Sequence, residues 1–294
     1  MRGLPPWLLA CFLVSACTPT SPAEAPDVTT PSPDAPGATI KRPQDAELVH
    51  DEGLEAHLIA ESVSGVIAVY DTNEGKLRCS NPELCKKGYL PASTFKIPHT
   101  LAALEEHVVD NADTELKWDG KTYTVEAWNQ DHTLRSAMET SCVPCYQSIA
   151  KKLGDEREKA WVEKLEYGNK DTSGGLEKFW LEGGLRVTPI EQVDFLYRLD
   201  KAELPVSEAS RSTTLSIITQ SQTDIYTLRG KTGSACDPLV GWYVGYIESG
   251  ARRVFVAVAL DGMREGADAA VSVTAARSPV AKRVLRSVTG LRID

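Results

Sequence analysis

Ser93 and Lys96 stand three residues apart in "YLPASTFKIPHT", residues 89–100, where an irregular segment gives way to apolar positions at helical spacing. On a helix that spacing turns both side chains to one face, within a turn of each other. Lys96 lies between Phe95 and Ile97. An ammonium held among apolar groups tends to lose its proton, and a neutral amine can accept one from a serine hydroxyl that attacks an acyl group. S-x-x-K alone is weak, because Ser148 and Lys151 of "SIAK" match it too. Its ordinary reading is a surface serine beside a lysine whose stem lies along the surface.

Other motifs supply the company that the first one needs. "KTG", Lys231 to Gly233, lies in a strand-like segment. There Lys231 and Thr232 can offer a cation and a hydroxyl to a carboxylate, and Gly233 lets a substrate backbone come close. "SCV", Ser141 to Val143, precedes a helical pattern and offers a second hydroxyl, although "SGV" at Ser64 fits the same pattern. "YGN", Tyr167 to Asn169, reads as a helix C-cap with Gly168 ending the turn. A zinc site is not expected: "CVPC" is the one C-x-x-C, and the five histidines include no H-x-x-H or H-x-x-x-H pair. A thioredoxin-like use of "CVPC" would need βαβ surroundings, which the pattern does not provide.

The elements that must position these residues change period along the chain. "SGVIAVYDT" and "GKLRCSN" read as strands joined around Asn73-Glu74-Gly75, a hairpin signal. Residues 94–107 are helical, with Pro98 tolerated in the first turns, so Ser93 stands at a helix N-terminus. Between about 110 and 220 the segments "HTLRSAMET", "VPCYQSIAKKLG", "REKAWVEKLEYG", "PIEQVDFLYRLDKAEL" and "SEASRSTTLSIITQ" make the middle region read as all-α. "IYTLRGKTGSA", "LVGWYVGYIES" and "RRVFVAVALDG" then form an antiparallel meander, followed by a helix in "AAVSVTAARSPVAKRVLRSV". The expected fold is α+β: an antiparallel sheet from both chain ends flanked by terminal helices, with an all-α subdomain inserted. The α/β part covers about 45–108 and 222–294, the helical part about 109–221. Ser93 would face the cleft between them.

The chain has 294 residues and a net charge of −9 without a long block of one sign, which argues against a nucleic-acid partner. "MRGLPPWLLACFLVSAC" has one early charge at Arg2, a short apolar run and small residues before Cys17, the layout of an export signal over residues 1–16. The run is short and interrupted by proline for a membrane span. "VSAC" looks like a bacterial lipobox with Cys17 as the lipidated residue. Residues 17–44 are rich in Pro, Ser, Thr and Ala and read as a flexible tether to a domain over 45–294. The expected location is the periplasmic face of a bacterial membrane, with contact through the lipid only, or the periplasm itself.

With Cys11 in the leader and Cys17 lipidated, five cysteines remain: Cys79, Cys85, Cys142, Cys145 and Cys236. They cannot all pair within one chain. "CSNPELC" closes a short turn-rich loop, making Cys79 and Cys85 the best candidate disulfide in an oxidising compartment. Cys142 and Cys236 are taken as small buried apolar side chains.

Taken in order, S-T-F-K, S-C-V, Y-G-N, W-L-E-G and K-T-G resemble the class D, oxacillinase-type, serine β-lactamases, from about residue 46 onward. The related S-x-x-K, S-D-N and K-T-G set of class A enzymes and penicillin-binding proteins is established for this chemistry. S-x-V in place of S-D-N, and no E-x-E-L-N loop, favour class D. The resemblance implies hydrolysis of the β-lactam amide of penicillin-type antibiotics through an acyl-enzyme on Ser93. It implies a carbon dioxide-derived carbamate on Lys96 as general base, with no other cofactor and no metal. It places Phe95, Val143, Trp180 and Leu181 around that lysine, and lets the Trp180 indole N–H donate to the carbamate. Ser141, helped by Lys231, would pass a proton to the leaving nitrogen. The N–H groups of Ser93 and Ala235 would form the oxyanion hole. Thr232 and an arginine would meet the substrate carboxylate, Arg277 fitting best with Arg264 the fallback, while Gly233, Val143 and Leu181 would also line the substrate site.

The alternatives are a β-lactam sensor or a penicillin-binding protein that acylates without efficient turnover. Sensors of this resemblance carry a polar residue where Val143 stands, and they need a signalling partner. "FWLEG" together with Y-G-N speaks against a cell-wall peptidase.

Overall fold

The structure is a computed structural model that describes residues 41–267 and 272–293. The leader, Cys17 and the tether as far as residue 40 lie outside the described residues. In chain order the elements are β1 (Glu47–His50), α1 (Glu52–Ala60), β2 (Val63–Asp71), β3 (Lys76–Cys79), α2 (Pro82–Cys85), α3 (Lys96–Glu105), β4 (Glu115–Leu116), β5 (His132–Thr133) and α4 (Leu134–Glu139). They continue with α5 (Val143–Leu153), α6 (Asp155–Lys164), α7 (Pro189–Asp200), α8 (Glu208–Ile217), β6 (Thr219–Gln222), β7 (Thr227–Cys236), β8 (Leu239–Ser249), β9 (Arg252–Met263) and α9 (Val273–Thr289).

Seven strands form one sheet in the order β1-β3-β2-β9-β8-β7-β6. All neighbours run antiparallel except β1 and β3. Strand periodicity divides its residues between two cores. On β9, Val254, Val256, Val258 and Leu260 join one core, while Phe255, Ala257 and Ala259 join the other. β2 does the same with Val63, Ile67 and Val69 against Val66, Ala68 and Tyr70, the register between Val63 and Val66 being adjusted by a bulge at Ser64/Gly65. Each buried Val, Ile, Leu or Phe among them contributes about 1.5–3 kcal/mol relative to exposure. The first core is closed by α1 and α9; the second lies under α3 to α8 and holds the aromatic residues described below. The expected α+β architecture, with terminal helices on the sheet, is the one observed.

The middle region departs from the all-α expectation. Glu115 and Leu116 pair with Thr133 and His132 in a two-stranded ribbon, and residues 165–188 between α6 and α7 form turns with no helix. Two-residue strands carry too little alternation to be read from sequence. "YGN" is not a helix cap, since α6 ends at Lys164; Gly168 has φ +55°, and a Cβ there would meet Arg186 O at 2.1 Å. Glycine is needed at that position for close backbone packing.

Candidate active site

Ser93 is the second residue of a 3-10 turn, Ala92–Phe95, that runs straight into α3. The turn is fixed from several sides. Ala92 is fully buried with φ +48°, and its N–H donates to Trp180 O at 2.9 Å. Thr94 Oγ1 donates to Pro91 O at 2.7 Å and accepts from Gln192 Nε2 at 2.8 Å, and Tyr167 OH of "YGN" donates to the same Gln192 at 3.3 Å. A left-handed alanine costs on the order of 1–3 kcal/mol and persists where surrounding contacts over-determine it.

Lys96 opens α3 and is wholly buried, with Nζ donating to Ser93 Oγ at 3.0 Å. Among the described residues no carboxylate pairs with it. Burial, and secondarily the charge of Lys231, holds its pKa well below the ordinary lysine value. Its nitrogen stands 5.1 Å from the centre of the Tyr146 ring, a residue of α5 that the sequence reading did not single out. The wall continues with Phe95, whose ring stacks on Trp180 at 5.7 Å and packs against Phe179 at 5.1 Å. Trp180 is fully buried, and its Nε1 has no hydrogen-bond partner. Val143 and Leu181, expected in the same wall, are half-buried; Leu181 packs on the edge of this core. An amine held below its ordinary pKa by burial, with a buried unpaired donor on Trp180 in the same aromatic cluster as Phe95, fits a carbamate on Lys96. Behind the wall, His99 packs on Trp180 at 5.2 Å, and its Nε2 meets Glu158 Oε1 at 2.5 Å.

Ser141 lies in the turn between α4 and α5 with φ +56°, held by its N–H to Met138 O at 3.2 Å and by Cys142 N–H to Ala137 O at 2.8 Å. Lys231 reaches it from β7, Nζ donating to Ser141 Oγ and to Thr232 O, each at 3.0 Å. Lys231 is 5 % exposed, and desolvation, with the Arg277 charge second, lowers its pKa to about 7. β7 brings the "KTG" segment against the Ser93 turn: a Cβ on Gly233 would meet Pro91 O at 3.0 Å and the Thr94 N at 3.2 Å. The Ser93 turn thus packs on β7 at Gly233, two residues from the Lys231 that holds Ser141. A cleft of about 390 Å³ is lined by Met138, Ile217, Ile218, Gly230, Lys231 and Thr232 among others.

Arg277 on α9 donates to Ser234 Oγ, two residues past Thr232, and its pKa is lowered by desolvation. Arg264 is turned elsewhere, to Glu55 Oε1 at 2.8 Å and Val63 O at 3.0 Å. Of the two arginines, Arg277 is the one brought to β7. Ala235 follows on the same strand, opposite Val240. Ser148 and Lys151, the second S-x-x-K, form no such pair: Lys151 is exposed and bonds Glu177.

Cys79 and Cys85 are joined, as their spacing suggested. Cys142 is buried but is not an isolated apolar side chain, because it is bonded to Cys145. Cys236 is exposed and free near the end of β7, which corrects the expectation that it is buried. Local sequence could not reveal that α5 starts between Cys142 and Cys145 and so draws them together. The donor atoms of His132, Cys142 and Cys145 lie within 4.8 Å of one another. The two sulfurs share a bond, however, and the His132 ring nitrogens each face an oxygen, Ser136 Oγ and Ala127 O, at 2.9 Å.

The family described as penicillin binding protein transpeptidase domain matches residues 65–286. β-Lactamase OXA-48 of Klebsiella pneumoniae is 37 % identical over 218 residues, covering 73 % of this chain and 82 % of that protein. β-Lactamase OXA-10 of Pseudomonas aeruginosa is 36 % identical over 69 % of this chain and 78 % of its own length. Among solved structures, the class D β-lactamase YbXI from Nostoc matches with a TM-score of 0.75 and 37 % identity, over 81 % of this chain and 99 % of that one. A class D β-lactamase from Sebaldella termitidis matches with a TM-score of 0.77 and 32 % identity, over 84 % and 100 %.

Proposed function

Since the chain belongs to the class D β-lactamases, within the penicillin-binding transpeptidase family, we propose that it hydrolyses the β-lactam amide of penicillin-type antibiotics through an ester on Ser93. The observation that carries this reading is the buried Lys96 amine, held below its ordinary pKa and 3.0 Å from Ser93 Oγ.

Ser93 Oγ attacks the lactam carbonyl while its proton leaves toward Lys96. Backbone N–H groups of Ser93 and Ala235 receive the developing oxyanion; one such donor is worth on the order of 100-fold or more in rate. The C–N bond then breaks, and Ser141, bonded to Lys231, delivers a proton to the leaving nitrogen. Thr232 and Arg277 orient the substrate carboxylate, Gly233 lets the substrate approach β7 closely, and Val143 and Leu181 offer apolar surface. Water then attacks the ester carbonyl, releasing Ser93. Carbon dioxide bound to Lys96 as a carbamate would supply a carboxylate-type base at this position, and Trp180 Nε1 is the donor suited to hold it.

The sequence pattern of residues 1–44 supports export, lipidation at Cys17 and attachment at the periplasmic face of a membrane. Multiple turnover of a chromogenic cephalosporin, with a quenched-reaction adduct on the peptide carrying Ser93, is the expected result. A single stoichiometric burst with no turnover would instead favour a sensor or penicillin-binding protein.

A further inference from the structure

The Cys142–Cys145 disulfide occupies the middle of the acid–base machinery: Ser141, Cys142 and Val143 are consecutive, and the bond closes over the first turn of α5. Its two sulfurs have different surroundings. Cys142 is fully buried, caps α5, and accepts the Cys145 N–H on its sulfur at 3.2 Å. Cys145 is half-buried and lines a cavity of about 160 Å³ together with Trp118, Tyr123, Trp128 and Gln147. One partner can be reached from outside, and the other is placed to stabilise negative charge when the bond breaks.

We propose that Cys142–Cys145 is a thiol–disulfide exchange site, opened by an external dithiol from the Cys145 side, and that opening it releases Ser141 from its position on Lys231. A thiolate of the dithiol attacks Cys145 Sγ, and the S–S bonding pair leaves on Cys142 Sγ. The backbone amide of Cys145 and the start of α5 favour that thiolate as leaving group. The second thiol of the reagent attacks its own sulfur in the mixed disulfide and expels Cys145 as a thiolate. The dithiol is oxidised by two electrons, the protein disulfide is reduced by two, and the two new thiolates are protonated from solvent.

The consequence for the site follows from connectivity. Ser141 is held in a left-handed conformation by the backbone on either side of it, and the disulfide closes the ring next to it. Without that ring, the turn can relax toward conformations that a serine adopts with less strain, and Ser141 Oγ moves off Lys231 Nζ. The other disulfide has no such asymmetry, since Cys79 and Cys85 are both fully buried. The effect on activity rests on the β-lactamase reading; the exchange chemistry does not.

The test uses the full chain, equilibrated in dithiothreitol redox buffers under native conditions, alkylated, and analysed by peptide mass spectrometry. Cys142 and Cys145 should acquire the label together, while Cys79 and Cys85 stay joined and Cys236 labels even without reductant. kcat/KM for a cephalosporin should fall at least about tenfold in step with the labelled fraction, with circular dichroism unchanged, and should return on reoxidation. In a Cys236→Ser background, Cys142→Ser should leave Cys145 quick to form a mixed disulfide with an aromatic disulfide reagent. The companion Cys145→Ser should leave Cys142 at least about tenfold slower. A bond that opens only in urea would overturn the exchange site. Full labelling with unchanged kcat/KM would overturn its control of Ser141. If the chain proves inactive on every β-lactam, the labelling and exchange-rate arms still decide the first claim.

Discussion

Lys231 Nζ and Ser141 Oγ are 3.0 Å apart although 90 residues separate them, so the proton-delivery pair exists only once β7 has docked beside the turn that precedes α5. Its ionisation should be visible in the kinetics. With the Lys231 pKa lowered to about 7, the free enzyme loses this cation as pH rises through neutrality. The kcat/KM profile for an anionic β-lactam should therefore descend on its alkaline side from about pH 7. Arg277→Ala removes a charge that helps to lower that pKa, so the descent should move to higher pH. The same variant should lose about 10- to 100-fold in kcat/KM from the missing carboxylate contact. An unmoved profile would place the titration on another group.

The same lysine sets a slope in stability. Unfolded, Lys231 keeps its proton to about pH 10.5; folded, it gives it up near 7, so unfolding between these values takes up one proton. Stability due to this group should rise with pH across that window, by about 1.4 kcal/mol per unit, and be flat below it. Urea unfolding from pH 7.5 to 9.5 should show wild type gaining on Lys231→Met. Parallel curves would mean that Lys231 remains protonated in the fold.

Lys96 should respond to carbon dioxide. In mildly acidic, carbon dioxide-depleted buffer, activity should fall, and bicarbonate should restore it. Trp180→Phe keeps the ring beside Phe95 but removes the N–H, so it should melt close to wild type and need more bicarbonate for full activity. Lys96→Ala should leave a slowly formed, long-lived ester on Ser93. Rates indifferent to bicarbonate would show that Lys96 works as a free amine.

His99 and Glu158 form a buried polar pair behind Trp180, and neither is expendable alone. Glu158→Leu or His99→Leu should cost about 1–3 kcal/mol, because each leaves the facing polar group buried among apolar side chains. The double substitution should cost less than either single one, as read from denaturant midpoints. Simple additivity would mean that the two residues act separately.

Cys17→Ala should release active protein into the aqueous phase on detergent partitioning, if residues 1–17 direct lipidation. An unchanged membrane fraction would point to an uncleaved helix instead.

Much of the site was legible because its residues carry local signatures. Ser93 and Lys96 share a helical face, and β7 to β9 alternate plainly enough to place Lys231 and Thr232 on a strand. Other features depend on contacts that no short window contains. The parallel docking of β1 on β3, the meeting of His99 with Glu158, and the approach of Tyr146 to Lys96 all arise from tertiary packing. Tyr146 did leave a trace, three positions after Val143 on one face of α5, but that spacing equally marks any core residue. The choice between Arg277 and Arg264 needed the sheet itself, since no short window shows which of the two reaches β7.

The pairing of β2 with β9 gives the order of assembly a chemical meaning. A chain available only as far as α8 contains Ser93, Lys96, Ser141 and Trp180, and β2 can pair with β3, but β9, the other neighbour of β2, and Lys231 are missing. Contacts of such long sequence separation form late and slowly, and until then the apolar strands are open to aggregation. Catalytic competence is thus gained in one late step, when the β7–β9 meander closes the sheet. A chain stopped before that step would carry the nucleophile without its proton-delivery pair.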